Sequence, residues 1–181
     1  GLAAQGAFAV VLDFAPQEVA NQLFGSTITA GPDRMTNAGR AGIPQIVSIG
    51  CYDLVDLVGW QPLPAALQGR PAHAHNRLLT SVVQTPDERR MMARTMYEKL
   101  SHAKAPVTFV LPTHGGNEWD RAGGPLCDVE GLAAFCDELR KNAPGNVKFV
   151  ELDAHINDMA FTEAVLAELD SWISDGTVKL Q

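Results

Sequence analysis

Asp153 and His155 stand two residues apart just beyond the apolar run Val147-Lys148-Phe149-Val150-Glu151-Leu152, and they are the pair in this sequence best suited to moving protons. An imidazole oriented by a carboxylate is the usual device for general acid–base work near neutral pH. The stretch continues through Asn157 and Asp158, so two carboxylates, an imidazole and an amide leave a single strand end. Polar residues recur where other apolar runs stop. Asp13 follows Ala7–Leu12, Gly50-Cys51-Tyr52-Asp53 follows Ile43–Ile49, and His114-Gly115-Gly116-Asn117 comes just after Pro106–Leu111. In open α/β sheets the loops beyond the carboxyl ends of the strands form the ligand crevice.

On this reading Asp153 and His155 are the acid–base pair. Asp33, Arg34, Gly50, His75, Asn76, His114, Gly115 and Asn157 are the residues expected to hold a small anionic ligand. The main chain at Gly115-Gly116 offers N–H groups that could cradle an anion beside the His114 imidazole. Structural roles compete at several positions: Asn157 or Asp158 as the cap of a following helix, His114 as a turn residue, Asp153 as a hydrogen-bonded carboxylate. His73-x-His75 puts two imidazoles on one side of an extended segment. With His114, His155 and Asp153 they would make a zinc or manganese site, although no H-E-x-x-H or C-x-x-C signature accompanies them. Cys51 has no base nearby in sequence, and the chain carries no P-loop, no G-x-G-x-x-G after a strand and no G-x-S-x-G elbow.

The elements that must position these residues are short buried runs alternating with amphipathic stretches. Strands are expected over 7–12, 43–49, 106–111 and 147–152, each continuous enough to be buried on both faces of a parallel sheet, with a further edge strand over 78–83. Helices are expected over 16–24, from an Asp33 cap to Ala41, and from the capping box Thr85-Pro86-Asp87-Glu88 with Met92, Ala93, Met96, Tyr97 and Leu100 facing inward. Two more follow. One runs from an Asp128 cap with Val129, Leu132, Ala133, Cys136 and Leu139 inward, the other over about 158–174 with Phe161, Val165, Leu169 and Trp172 inward. Residues 59–77, with four prolines, read as an irregular binding loop or lid. The order predicts an α/β fold: a Rossmann-like, doubly wound, mostly parallel sheet with helices on both faces.

The 181 residues suit a single domain. A formal net charge of −7 and the lack of any Lys/Arg stripe argue against nucleic acid as a partner, and no apolar run is long enough for a membrane. Three cysteines without paired spacing fit a reducing compartment, so a cytoplasmic location is expected. The opening residues, without Met, read as the tail of a helix and as part of a longer polypeptide.

Several phrases together resemble a known family. They are Val11-Leu12-Asp13 with Glu18-Val19-Ala20; Ala30-Gly31-Pro32-Asp33-Arg34 with Ala38-Gly39-Arg40-Ala41-Gly42-Ile43-Pro44-Gln45; His75-Asn76; Gly123-Gly124-Pro125; and Glu151 through Asp158. The family is the Tm-one-like ATP-binding family of microbial proteins, which also takes in the N-terminal region of the plant tomato mosaic virus resistance protein. The resemblance runs from about residue 7 to 174 and implies two Rossmann-like subdomains, of which this chain is the C-terminal one. It further implies an N-terminal companion domain, a homo-oligomer, and ATP with magnesium held largely by that companion. Three functions are therefore expected, in this order: part of an enzyme acting on a phosphorylated or carboxylated metabolite, a nucleotide-binding regulatory or interaction module, and a metal-dependent hydrolase.

Overall fold

The computed structural model describes residues 2–179. Four strands, β1 (Val11–Asp13), β2 (Gln45–Val47), β6 (Val107–Pro112) and β7 (Val147–Leu152), form a parallel sheet in the order β1-β2-β6-β7. Asp13 pairs with Val47, Val47 with Phe109, and Pro112 with Leu152, so all four strands end at one rim. Between β2 and β6 the chain builds a second, antiparallel sheet from β3 (Leu54–Val58), β4 (Ala72–Ala74) and β5 (Leu79–Val83), in the order β3-β5-β4.

Among the described residues there are five helices: α1 (Gln17–Leu23), α2 (Asn37–Arg40), α3 (Pro86–Ser101), α4 (Val129–Asn142) and α5 (Met159–Ser174). Val19 of α1, Met92, Met96 and Leu100 of α3, and Phe135 and Leu139 of α4 pack with Val47, Phe109 and Leu111 of the parallel sheet. Phe161, Val165 and Trp172 of α5 cluster with Ile46 and Val110, whose side chains leave the opposite face. Helices thus cover both faces, as the alternation of buried strands and amphipathic stretches requires. Among the described residues no helix is long and apolar enough to cross a membrane.

The α3 start is as the sequence predicts. Thr85 accepts from the Glu88 N–H at 3.3 Å, and the Glu88 carboxylate accepts from the Thr85 N–H at 2.8 Å. Glu88 also receives both Arg70 guanidinium nitrogens, at 2.6 and 3.1 Å, which ties the helix to the chain leading into β4. Burial pushes the Glu88 carboxyl up, but its bonds from Arg70 and Thr85 outweigh that and hold it below the usual range.

Other expectations are corrected. β1 is a three-residue edge strand whose Leu12 is 42% exposed, because it has a partner on one side only. Residues 59–77 are less irregular than expected, containing a 3-10 turn at Ala65–Leu67 and strand β4, and residues 79–83 are the centre of the second sheet rather than an edge. Asp33 caps nothing: α2 has only four residues, begins after Thr36, and leaves the Asp33 carboxylate 3.5 Å from Arg40 at the surface. In α4 the inward face is Gly131, Ala134, Phe135, Cys136 and Leu139, while Val129 and Ala133 are exposed. The opening residues form a 3-10 turn at Leu2–Gln5; Gly1 of the expected helix tail lies outside the described residues.

Gly50 holds the ends of β1 and β2 together. Its N–H donates to the Phe14 carbonyl at 2.6 Å, and a Cβ at this position would run into that same oxygen. Since the obstacle is backbone, Gly50→Ala is expected to cost about 1–3 kcal/mol, read as a lower urea midpoint at unchanged slope.

Candidate functional site

The loops after β6 and β7 run side by side. The Thr113 N–H donates to Leu152, the His114 N–H to Ala154 and the Ile156 N–H to Gly115, at 2.9, 3.0 and 3.2 Å, so pairing continues past the strand ends. This neighbourhood brings together His114, Asp153, His155, Gly115 and Asn157, but not in the expected pairing. Asp153 points outward, with its side chain 95% exposed, and its Oδ1 lies 2.8 Å from Nε2 of His114.

His155 turns inward and is 1% exposed. Its Nδ1 accepts the N–H of Asn157 at 3.1 Å, so the ring proton sits on Nε2, which faces the Asn117 carbonyl at 3.0 Å and the Asp120 carboxylate at 3.1 Å. Both ring nitrogens are therefore engaged within the protein. The Asp153–His155 pair is not assembled, because β7 ends at Leu152 and the chain bends at Asp153 and Ala154, so the strand alternation that would put residues two apart on one side no longer holds.

The anion cradle expected at Gly115-Gly116 lies one residue further on, at the N–H groups of Gly116 and Asn117, and is filled by the protein itself. Asp120 accepts from the N–H groups of Gly116 at 2.7 Å and Asn117 at 3.2 Å, while also receiving His155. Gly115 has φ +120, and a Cβ there would strike the Asp120 carboxylate. Asn117 reaches further in, donating its side-chain amide to Oδ1 of Asp53 at 2.9 Å, while Oδ2 of this fully buried carboxylate has no partner. Burial pushes the Asp53 carboxyl up to about 7; Arg89 opposes the rise and Asp120 adds to it. Burial, helped by Asp53, Asp56 and Asp120, likewise pushes the Cys51 thiol up to about 12, which leaves it protonated and unsuited to nucleophilic attack.

Beside this network a cleft of about 470 Å³ opens at the ends of β6 and β7, lined by Tyr52, Arg89, His114, Arg121, Asp128 and Leu132 among others. Arg89 forms its buried wall. The guanidinium donates to Asp128 at 2.8 Å and to the Gln84 carbonyl at 3.3 Å, with a longer 3.4 Å contact to the Tyr52 hydroxyl. Burial works against the Arg89 charge, but Tyr52, Asp53 and Asp128 outweigh it. Asp128 meanwhile caps α4 through the Gly131 N–H at 2.9 Å. At the mouth Arg121 bridges Glu118 at 2.9 Å and Asp158 at 3.2 Å. Arg89, Asp120 and Arg121 were not among the expected site residues. An arginine three residues before Met92 on an apolar helix stripe was the available signal for Arg89.

The remaining candidates lie elsewhere. Arg34 is committed to Asp13 through both terminal nitrogens, to Glu18 at 3.2 Å and to the Ala15 carbonyl at 3.1 Å. It serves as a strut between β1 and α1, with Asp33 exposed beside it. His73 and His75 pack on Trp119 with ring centroids 4.3 and 5.4 Å away, and Asn76 shapes the β4–β5 hairpin by accepting the Leu78 and Leu79 N–H groups. Among the described residues no three His, Cys, Asp or Glu side chains are placed to share a metal ion, so the His73–His75 metal reading finds no ligand set. Asp158 occupies the N-cap position of α5, but its carboxylate turns back to the His155 N–H at 2.8 Å instead of capping the helix. Asn157 donates its amide to Glu118 at 3.0 Å.

The buried Asp53 yields a pH prediction. Its pKa is raised from 3.8 in the unfolded chain to about 7, so the native state holds this proton the more tightly. Its contribution to stability is full below pH 4 and is lost as pH rises through 7. Asp53→Asn is expected to gain on the parent across that window by as much as about 4 kcal/mol, measured by urea denaturation at pH 4, 6 and 8.

Comparison with known proteins places this architecture. The model of the Uncharacterised protein family (UPF0261) C-terminal domain matches residues 1–173. A UPF0261 protein of Brucella melitensis is 51% identical over 177 residues, covering 98% of this chain and 42% of the relative. One from Rhizobium meliloti is 31% identical over 92% of this chain and 42% of its own length. The ToMV resistance protein Tm-1(GCR237) of Solanum lycopersicum is 28% identical over 86% of this chain and 21% of its own length. The chain thus spans about 42% of the bacterial relatives it matches, and it belongs to the UPF0261 family, whose C-terminal domain it contains.

Proposed function

We propose that this domain binds a small anionic metabolite, phosphorylated or carboxylated, in the cleft at the ends of β6 and β7, with His114 as the group that handles its protons. The observation that carries this reading is an imidazole held at 2.8 Å by a carboxylate at the mouth of a 470 Å³ cleft whose wall is a buried arginine. Asp153 keeps the orienting role the sequence suggests, but the imidazole it serves is His114. With Nε2 engaged by Asp153, Nδ1 of His114 remains for a ligand proton.

The charges around the cleft suit an anion that exchanges partners rather than one that meets bare cations. Arg121 is shared between two partly exposed carboxylates, Glu118 and Asp158, and can be drawn from them to a bidentate ligand group. The first turn of α4 lines the cleft through Asp128 and Val129, adding the positive end of a helix. The ATP and magnesium implied by the family resemblance find less here. The Gly116 and Asn117 N–H groups already hold Asp120, and no three carboxylates gather among the described residues. A nucleotide would need donors from the further region that the longer relatives carry.

A thermal-shift panel of sugar phosphates, carboxylic acids, inorganic phosphate and ATP with magnesium tests this on both the 181-residue chain and the full-length polypeptide. A ligand present at about 100 times its Kd stabilises by roughly 2.7 kcal/mol, so at least one class should raise Tm by several degrees. Arg121→Ala is expected to weaken that ligand about tenfold or more, whereas His114→Ala leaves affinity within a few-fold and lowers any turnover about a hundredfold. No shift with either polypeptide, or unchanged affinity in Arg121→Ala, would sink the proposal.

A further inference from the structure

On the opposite side of the His155–Asp120 link from this cleft lies a groove of about 680 Å³ whose lining includes Leu12, Phe14, Ile156, Phe161, Val165 and Leu166. Its origin is an asymmetry in the packing. Three helices, α1, α3 and α4, cluster on one face of the parallel sheet, whereas α5 alone clusters on the other. In register, Leu12 of β1 pairs with Ile46 of β2, so the two side chains leave the same face. Ile46 is fully buried beneath α5, while Leu12, one strand further out, is 42% exposed. Leu166, one residue after buried Val165, is 50% exposed along the same groove. Among the described residues, edge strand β1 has no partner on its outer side.

We infer that this groove is the docking face for the N-terminal portion that the longer relatives carry, which places an apolar segment of it across Leu12 and Leu166. The matching family model is that of a C-terminal domain, and the Brucella melitensis and Rhizobium meliloti relatives are more than twice as long as the region they share with this chain. A tethered partner of this kind suits a groove of modest size. Linkage raises the effective concentration to the millimolar range, and domain interfaces within one chain need as little as about 600 Å². A free second copy would need about 800 Å² on each side from a patch only two strands wide. The groove is also rimmed by Gly50, Asn117, Glu118 and Asn157, so the docked portion lies over the strand ends and can reach the loops that border the ligand cleft.

Hydrogen–deuterium exchange on the full-length polypeptide and on the 181-residue chain tests the assignment. Amides of residues 11–15 and 159–169 are expected to exchange about tenfold more slowly in the full-length protein, independently of protein concentration. Leu166→Glu, at an exposed position, should abolish that slowing while leaving the Tm of the 181-residue chain unchanged. Equal exchange in the two polypeptides would overturn the inference, as would slowing that survives Leu166→Glu. Slowing that grows with concentration would assign the face to a second copy instead.

Discussion

The Asp120 carboxylate is the constraint on which the strand-end architecture depends. It is nearly buried and survives there because two backbone N–H groups and the His155 ring converge on it, each a charge-assisted bond. Those donors come from the loops after β6 and β7, so the carboxylate stitches the two loops together from within. Asn117, whose own N–H is one of the donors, extends the link to Asp53 at the entry to the second sheet. Gly115 and Gly116 permit it: side chains there would strike the Asp120 carboxylate and the Ile49 carbonyl respectively.

The same interaction divides the rim. His155, Asn117 and Asp120 stand between the polar cleft beside α4 and the apolar groove beside α5, so one row of strand ends presents two surfaces of different chemistry. It also adds to the electrostatics of its neighbours. Burial is the main reason the Asp53 carboxyl is raised; Arg89 opposes that rise and Asp120 adds to it. Arg89 is itself a junction, since Asp128 both neutralises it and caps α4. Loss of that carboxylate would expose an unpaired buried cation and an uncapped helix together.

Residues that look alike in sequence were separated by this packing. His114 and His155 both follow strands of the parallel sheet beside small residues, yet one carries Asp153 at the surface and the other is consumed in the interior. Arg34 and Arg89 show the reverse. The arginine that stood out in a polar loop is a strut held by Asp13 and Glu18, and the one hidden in an apolar helix stripe walls the cleft.

Local rules sufficed for what is local. The capping box of α3, the Asp128 cap of α4, the inward stripes of α3 and α5, and the spans of β6 and β7 were all legible, because hydrophobic periodicity and capping act over a few residues; that β7 is a half-exposed edge strand was not. β4 was not legible, since a strand reading Ala-His-Ala has meaning only through its pairing with β5. Nor was the short reach of β1, which depends on having no outer neighbour. At the site, sequence alone determined that histidines, carboxylates and glycines would gather at one sheet rim. Only the tertiary structure decided which imidazole met which carboxylate. That choice rests on the bend of the chain after β7 and on a carboxylate, Asp120, arriving from a loop to claim the N–H groups an external anion would otherwise have used.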